Sequence, residues 1–235
     1  MKNVSKLLSL VIIVTLFFTS IPVEASVMNN KQNYQITKDT DDCKVVTSKT
    51  TDSTYVFTHN KKTNEITFSV YSNTNNELIS SQTVDIDDYA LYETESENSI
   101  LAATTYQNTF SNWEYTITHG TTNLYQLRRP DGSLNGTYNF TTRMLAGYNK
   151  DYIDNFIDAV EAINTLEGQM VGALGLAVIL AGVSIVLTGG AAGAFWGAYI
   201  ASLTSDSAAV GLGFALDSEC NKASANYWDT FYHQY

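Results

Sequence analysis

Residues 168–205 carry no charged side chain, and their centre, "MVGALGLAVILAGVSIVLTGGAAGAFWGAYIASL", is apolar but for scattered small hydroxyls. A helix of this composition has no face suited to water, so protein or lipid must cover it all round. Met170 to Leu187 is about the minimum length for a helix to span a hydrocarbon core, which takes ~20 residues. Thr188, Gly189 and Gly190 interrupt the run. Ala191 to Leu203 resumes it with Phe195, Trp196 and Tyr199, and after "TSDS" the piece "AAVGLGFAL" ends at Asp217. The pattern predicts a helical hairpin with a Gly-Gly tip.

Small residues keep a register within it. Gly189, Gly193, Gly197 and Ala201 recur every four residues, as do Ala173, Ala177 and Ala181. Such rows let helix backbones approach closely in lipid, although alanine-rich soluble helices show them too. Three destinations stay open: a buried core hairpin, a permanent anchor, or a helix pair sheltered at first and able to enter a membrane. The second run is short for an anchor and no basic flank fixes an orientation. Trp196, Tyr199, Trp228 and Tyr232, the last two in the tail "NYWDTFYHQY", suit a membrane interface, or equally an aromatic plug against a β layer.

The remainder of the chain is polar. Lys2 and Lys6 precede an apolar stretch at 7–21, and Val23-Glu24-Ala25 offers a cleavage site before Ser26, so residues 1–25 read as a secretory signal peptide and the product as extracellular. Without them 11 basic residues face 23 acidic ones, a net charge of −12. That charge is repelled by nucleic acid and by anionic lipid alike, so nucleic-acid binding is excluded and membrane action requires apolar insertion or a receptor. Cys43 and Cys220 are the two cysteines. An oxidising compartment predicts a disulfide between them, against the alternative of unrelated thiols.

Residues 26–53 show no sustained period. Residues 54–86 alternate as three short strands with polar turns, including "EITFSVYS", and predict a β-meander. An acidic linker at 87–103 closes this N-terminal region, 26–103. A second antiparallel β region follows at 104–145, with turn signals at Pro130-Asp131-Gly132 and Asn135-Gly136. From 146 to 235 the period is helical. Ile153, Phe156, Ile157, Val160 and Ile163 mark one face of an amphipathic helix, with Asp151, Asp154, Asp158 and Glu161 on another. The predicted class is α+β: small antiparallel β-meanders, then a C-terminal α-helical hydrophobic hairpin.

The sequence holds no G-x-S-x-G, H-E-x-x-H or P-loop motif, and it predicts no catalytic residue, metal or cofactor. "DTDD" (39–42) and "DIDD" (85–88) resemble the opening of a calcium loop but lack its glycine and its final glutamate. Arg128 and Arg129 read as strand-end charges.

The export signal, the β-rich middle with "TFSNWEYTI" and "LYQLRRPDG", and the Gly/Ala-rich hydrophobic hairpin with its aromatic tail together resemble the geobacillin-type large secreted bacteriocins of Gram-positive bacteria. The resemblance covers about residues 104–235. It implies an antibacterial protein acting on related bacteria. The acidic charge departs from the cationic habit of small membrane-active bacteriocins. The expected function is permeabilisation of a target membrane, with a surface receptor, an immunity protein and oligomers on insertion as conceivable partners. Neutralisation of Asp154, Asp158 and Glu161 in acid is expected to ease entry. The alternatives are a non-toxic secreted or surface-associated binding module with a soluble hairpin, and a hydrolase with an unrecognised carboxylate pair.

Overall fold

The computed structural model describes residues 34–90, 104–120, 123–130, 137–143, 150–189 and 195–232, with the side chains of 137–143, 186–189 and 231 excepted. The expected signal peptide, most of the linker, the Gly-Gly tip beyond Gly189, and Gly193 lie outside the described residues.

The first layer is a five-stranded antiparallel meander in sequence order: β1 (Tyr34–Asp39), β2 (Cys43–Lys49), β3 (Ser53–Asn60), β4 (Glu65–Ser72) and β5 (Leu78–Asp85). The strands expected at 54–86 are there, in the positions read from their alternation. β1 and β2 correct the reading of 26–53 as patternless. Their signal was hidden because β2 turns Lys44, Val46 and Ser48 inward, so two of its three core-facing residues are polar. Asn64 and Asn76, at φ 53° and 56°, shape the two β-turns of this sheet's later half. Asparagine tolerates the left-handed region because its short amide bonds locally.

A second, four-stranded sheet runs β6 (Thr104–Asn108), β7 (Glu114–Thr118), β8 (Leu124–Pro130) and β9 (Thr137–Arg143), also antiparallel and in order. Four helices complete the chain: α1 (Lys150–Leu174), α2 (Leu176–Gly189), α3 (Trp196–Leu203) and α4 (Ser207–Tyr232). The fold is α+β.

α1 buries Ile153, Phe156, Val160 and Ile163, the face its periodicity marked, and continues through Glu167 and Met170. It lies along α4 and over β6 and β7, while α3 lies on β2 and β3 and α2 on β5. The hairpin therefore differs from the expected one at its start. Residues 170–174 finish α1, and Gly175, at φ 90°, turns the chain into α2. Ala173, exposed on α1, is thereby separated from Ala177 and Ala181 on α2, and the three share no continuous helix.

Candidate functional site: the sheltered charge-free helices

α3 begins where Phe195 enters an aromatic core contributed by the first sheet. Phe195 meets Phe57 at 5.1 Å and Phe68 at 5.5 Å between ring centroids, and it stacks on Tyr199 at 5.4 Å. From Trp196 to Ser202 every residue of α3 is buried. Trp196 and Tyr199 are core residues in this structure, packed against the β layer. Trp228 and Tyr232 do lie nearer the surface. Trp228 is half-buried beneath the Arg129 guanidinium at 4.7 Å, and Tyr232 is largely exposed.

Burying a helix that supplies no charge of its own leaves its end groups to be satisfied from elsewhere. At the N-terminus the carboxylate of Asp217, from α4, accepts three backbone hydrogen bonds: from Phe195 N at 2.9 Å and Trp196 N at 2.6 Å on Oδ1, and from Gly197 N at 2.9 Å on Oδ2. At the C-terminus Lys44, from β2, donates through Nζ to the Thr204 carbonyl at 2.8 Å and to Ser205 Oγ at 3.1 Å. An anion at the start and a cation at the end both complement the helix dipole. Both residues are nearly inaccessible to solvent. α3 is clamped at both ends by charges borrowed from other elements.

Glycines bring these helices together. A Cβ on Gly182 of α2 would lie 2.5 Å from Trp196 Cζ3, and one on Gly197 would enter the Phe214 ring of α4. A Cβ on Gly213 would stand 2.8 Å from the Trp196 carbonyl oxygen. Of the small-residue rows, Gly197 and Ala201 are buried on α3 and Ala181 on α2, whereas Ala177 is half-buried and Gly189 ends α2. Tyr199 donates its hydroxyl hydrogen to the Val178 carbonyl at 2.7 Å, tying α3 to α2.

Two further polar groups lie in this core. Glu167 is fully buried on α1 and accepts from Phe110 N at 2.7 Å and Ser111 N at 2.9 Å, holding the β6–β7 turn. Burial pushes its carboxyl up to about 7, against the pull of those hydrogen bonds. Asp217 is pushed up to about 6 for the same reason. His59, opposite Lys44 in the β2–β3 register, is shifted the other way, burial holding its imidazole below the usual range, and its Nδ1 makes no close hydrogen bond among the described residues. Acid-sensitive groups therefore sit at the helix clamp and the β6–β7 turn. On α1's outer face Asp154 is ion-paired with Lys150, and Glu161 accepts from the Tyr115 hydroxyl at 2.9 Å.

The expected disulfide is absent: Cys43 and Cys220 are free. Cys43 opens β2 opposite Asn60, whereas Cys220 is buried on α4 beside Trp113, where burial and the Glu167 and Asp217 carboxylates raise its thiol. Asp39 and Asp42 form ion pairs with Lys61 at 2.7 Å and Lys62 at 2.8 Å, and so complete the β1–β2 turn.

The sequence reading missed Lys44, His59, Glu167 and Asp217. Each is a lone polar residue whose partner is distant along the chain, and one-dimensional spacing carries no sign of that. Among the described residues no helix is long and apolar enough to cross a membrane. Comparison of the chain with protein-family models, curated proteins and solved structures finds no match in any of the three.

Proposed function

We propose that this chain is a secreted antibacterial protein, of the bacteriocin kind, that permeabilises the membrane of a target cell with residues 168–216. One observation carries the reading. A long charge-free segment is stored against the inner face of a β-sheet, with charged contacts concentrated at the two ends of α3. Loss of either clamp exposes backbone groups whose best alternative partners are water or another helix, and it leaves behind an apolar surface that lipid covers well. The acidic charge makes a surface receptor the natural partner for targeting, because electrostatic attraction to anionic lipid is lacking, and an immunity protein is the further partner of such a toxin.

The test is dye release from phosphatidylcholine–phosphatidylglycerol vesicles, run beside killing of Gram-positive cells by the same purified protein. Release together with killing supports the proposal. Killing without release transfers the activity to a receptor or an enzymatic route.

A second reading, a non-toxic secreted or surface-associated binding module, is favoured by the completeness of the core. Trp196, Tyr199 and Ile200 are covered, and Asp217 and Lys44 satisfy the helix ends, as in a soluble domain at rest. Neither release nor killing, from a stable protein, selects it.

A further inference from the structure

Gly175 separates α1 from α2, and its φ of 90° is the one positive value at a described glycine. Its N–H still closes the last turn of α1, donating to the Val171 carbonyl at 2.9 Å. A Cβ at this position would meet nothing within 4 Å. No neighbour requires a glycine there, so the requirement comes from the backbone angle alone.

That angle decides the length of the apolar helix. As bent, α2 has 14 residues, about 21 Å at 1.5 Å per residue. With Gly175 in helical geometry, residues 168–189 become one charge-free helix of about 33 Å, against the ~30 Å of a bilayer core. Residues 150–167, packed along α4 with Phe156 against Tyr227 and with Ile153, Val160 and Ile163 buried, need not move for this to happen. For this helix to enter a bilayer, α2 and the last residues of α1 leave their places, giving up the burial of Met170, the Tyr199–Val178 hydrogen bond and the seat of Gly182 against Trp196.

We infer that Gly175 is a hinge whose straightening joins the end of α1 to α2 as a helix long enough to span the hydrocarbon core of a lipid bilayer. The inference rests on the membrane reading above and names its inserting segment. Glu167, the first charge on the N-terminal side, then lies at the bilayer boundary. In the folded protein burial pushes its carboxyl up to about 7, and at a bilayer boundary the neutral form is the less costly one. Within the folded protein the titratable group facing Glu167 is Cys220, itself next to Asp217, and its polar neighbours are the backbone N–H groups of Phe110 and Ser111 and the Ser111 side chain.

The test uses the full protein with spin labels carried on non-canonical residues at 168 and 184, and phosphatidylcholine–phosphatidylglycerol vesicles as the probe. In a straight helix the two positions are about 24 Å apart along the axis. The hinge predicts a shorter separation in buffer and this longer one with vesicles. Gly175→Ala strains the bent form and favours the helical one, so vesicle dye release rises on the order of tenfold. Asn155→Ala is the control. It is exposed on the anchored part of α1, outside the inserting segment, and helical in both states, so it leaves the rate within about twofold. Dye release by the unaltered protein with an unchanged label distance, or equal effects of the two substitutions, overturns the hinge and leaves the membrane reading standing. Absence of both vesicle binding and dye release overturns both.

Discussion

Gly213 faces a wall that cannot give. Its added Cβ would meet the Trp196 carbonyl and the Gly197 Cα, both backbone, at 2.8 and 3.0 Å. Gly213→Ala therefore pushes α3 and α4 apart and costs about 2–3 kcal/mol of unfolding free energy. Gly211→Ala, on the same helix with nothing within 4 Å, gains about 0.5–1 kcal/mol. Urea titration of the two variants checks both signs. At Asp217 the Asp217→Ala change leaves three buried N–H groups unpaired and costs about 3–5 kcal/mol. The pH dependence follows from which way each buried group is shifted. Glu167 and Asp217 have raised pKa values, so the folded state binds their protons more tightly than the unfolded chain does. Their contribution to stability grows as pH falls from about 7 towards 4. His59 is lowered, so its contribution is lost as pH falls below about 6.5, its unfolded value. Two carboxylates outweigh one imidazole, and the Tm is expected to be higher at pH 5 than at pH 8. Glu167→Gln flattens that slope, and His59→Gln steepens it. A Tm series across this range in all three proteins reads the signs directly.

At the scale of elements, α3 behaves as a helix whose position is set from outside. It has only eight residues, no side-chain N-cap of its own, and a C-cap residue, Thr204, whose carbonyl belongs to Lys44. Lys44→Met keeps the aliphatic stem and removes the ammonium. It is expected to cost about 1–3 kcal/mol and to raise amide exchange in the last turn of α3 before the sheet responds. Uniform exchange across α3 and β2 contradicts that local clamp. This dependence also explains what was legible beforehand. α1, β3 and β4 showed themselves because each buries residues at its own period, as in Phe57, Phe68 and Val70 or Ile153, Phe156 and Val160. β2 was unreadable because Lys44 and Ser48 occupy inward positions, Lys44 to hold the end of α3. The apolar run gave away its burial but not its break. A glycine among glycines and alanines carries no mark of the left-handed angle adopted at Gly175, which tertiary packing imposes. Likewise Asp217 looked like the end of an apolar run, and its three bonds to a segment some twenty residues earlier have no local signature.

For the whole molecule, the division of labour is between a sheet that covers and helices that are covered. The Phe57 and Phe68 rings from the sheet, with Phe195 and Tyr199, form one aromatic cluster, and Trp113, Phe156 and Tyr227 link α1 and α4 to the second sheet in another. In the proposed mechanism the first cluster hides α3 at rest, and the protein acts when that cover is withdrawn at a membrane. The sequence predicted the tension between a polar chain and a charge-free segment; the structure shows what shelters the segment. The most direct measurement is labelling by a photoactivatable lipid held within the bilayer, with attachment sites mapped by mass spectrometry on the intact protein bound to vesicles. The account predicts attachment concentrated in residues 168–203, with the outer face of the five-stranded sheet unlabelled. Attachment confined to the sheet or to the aromatic tail, with 168–203 unlabelled, contradicts it.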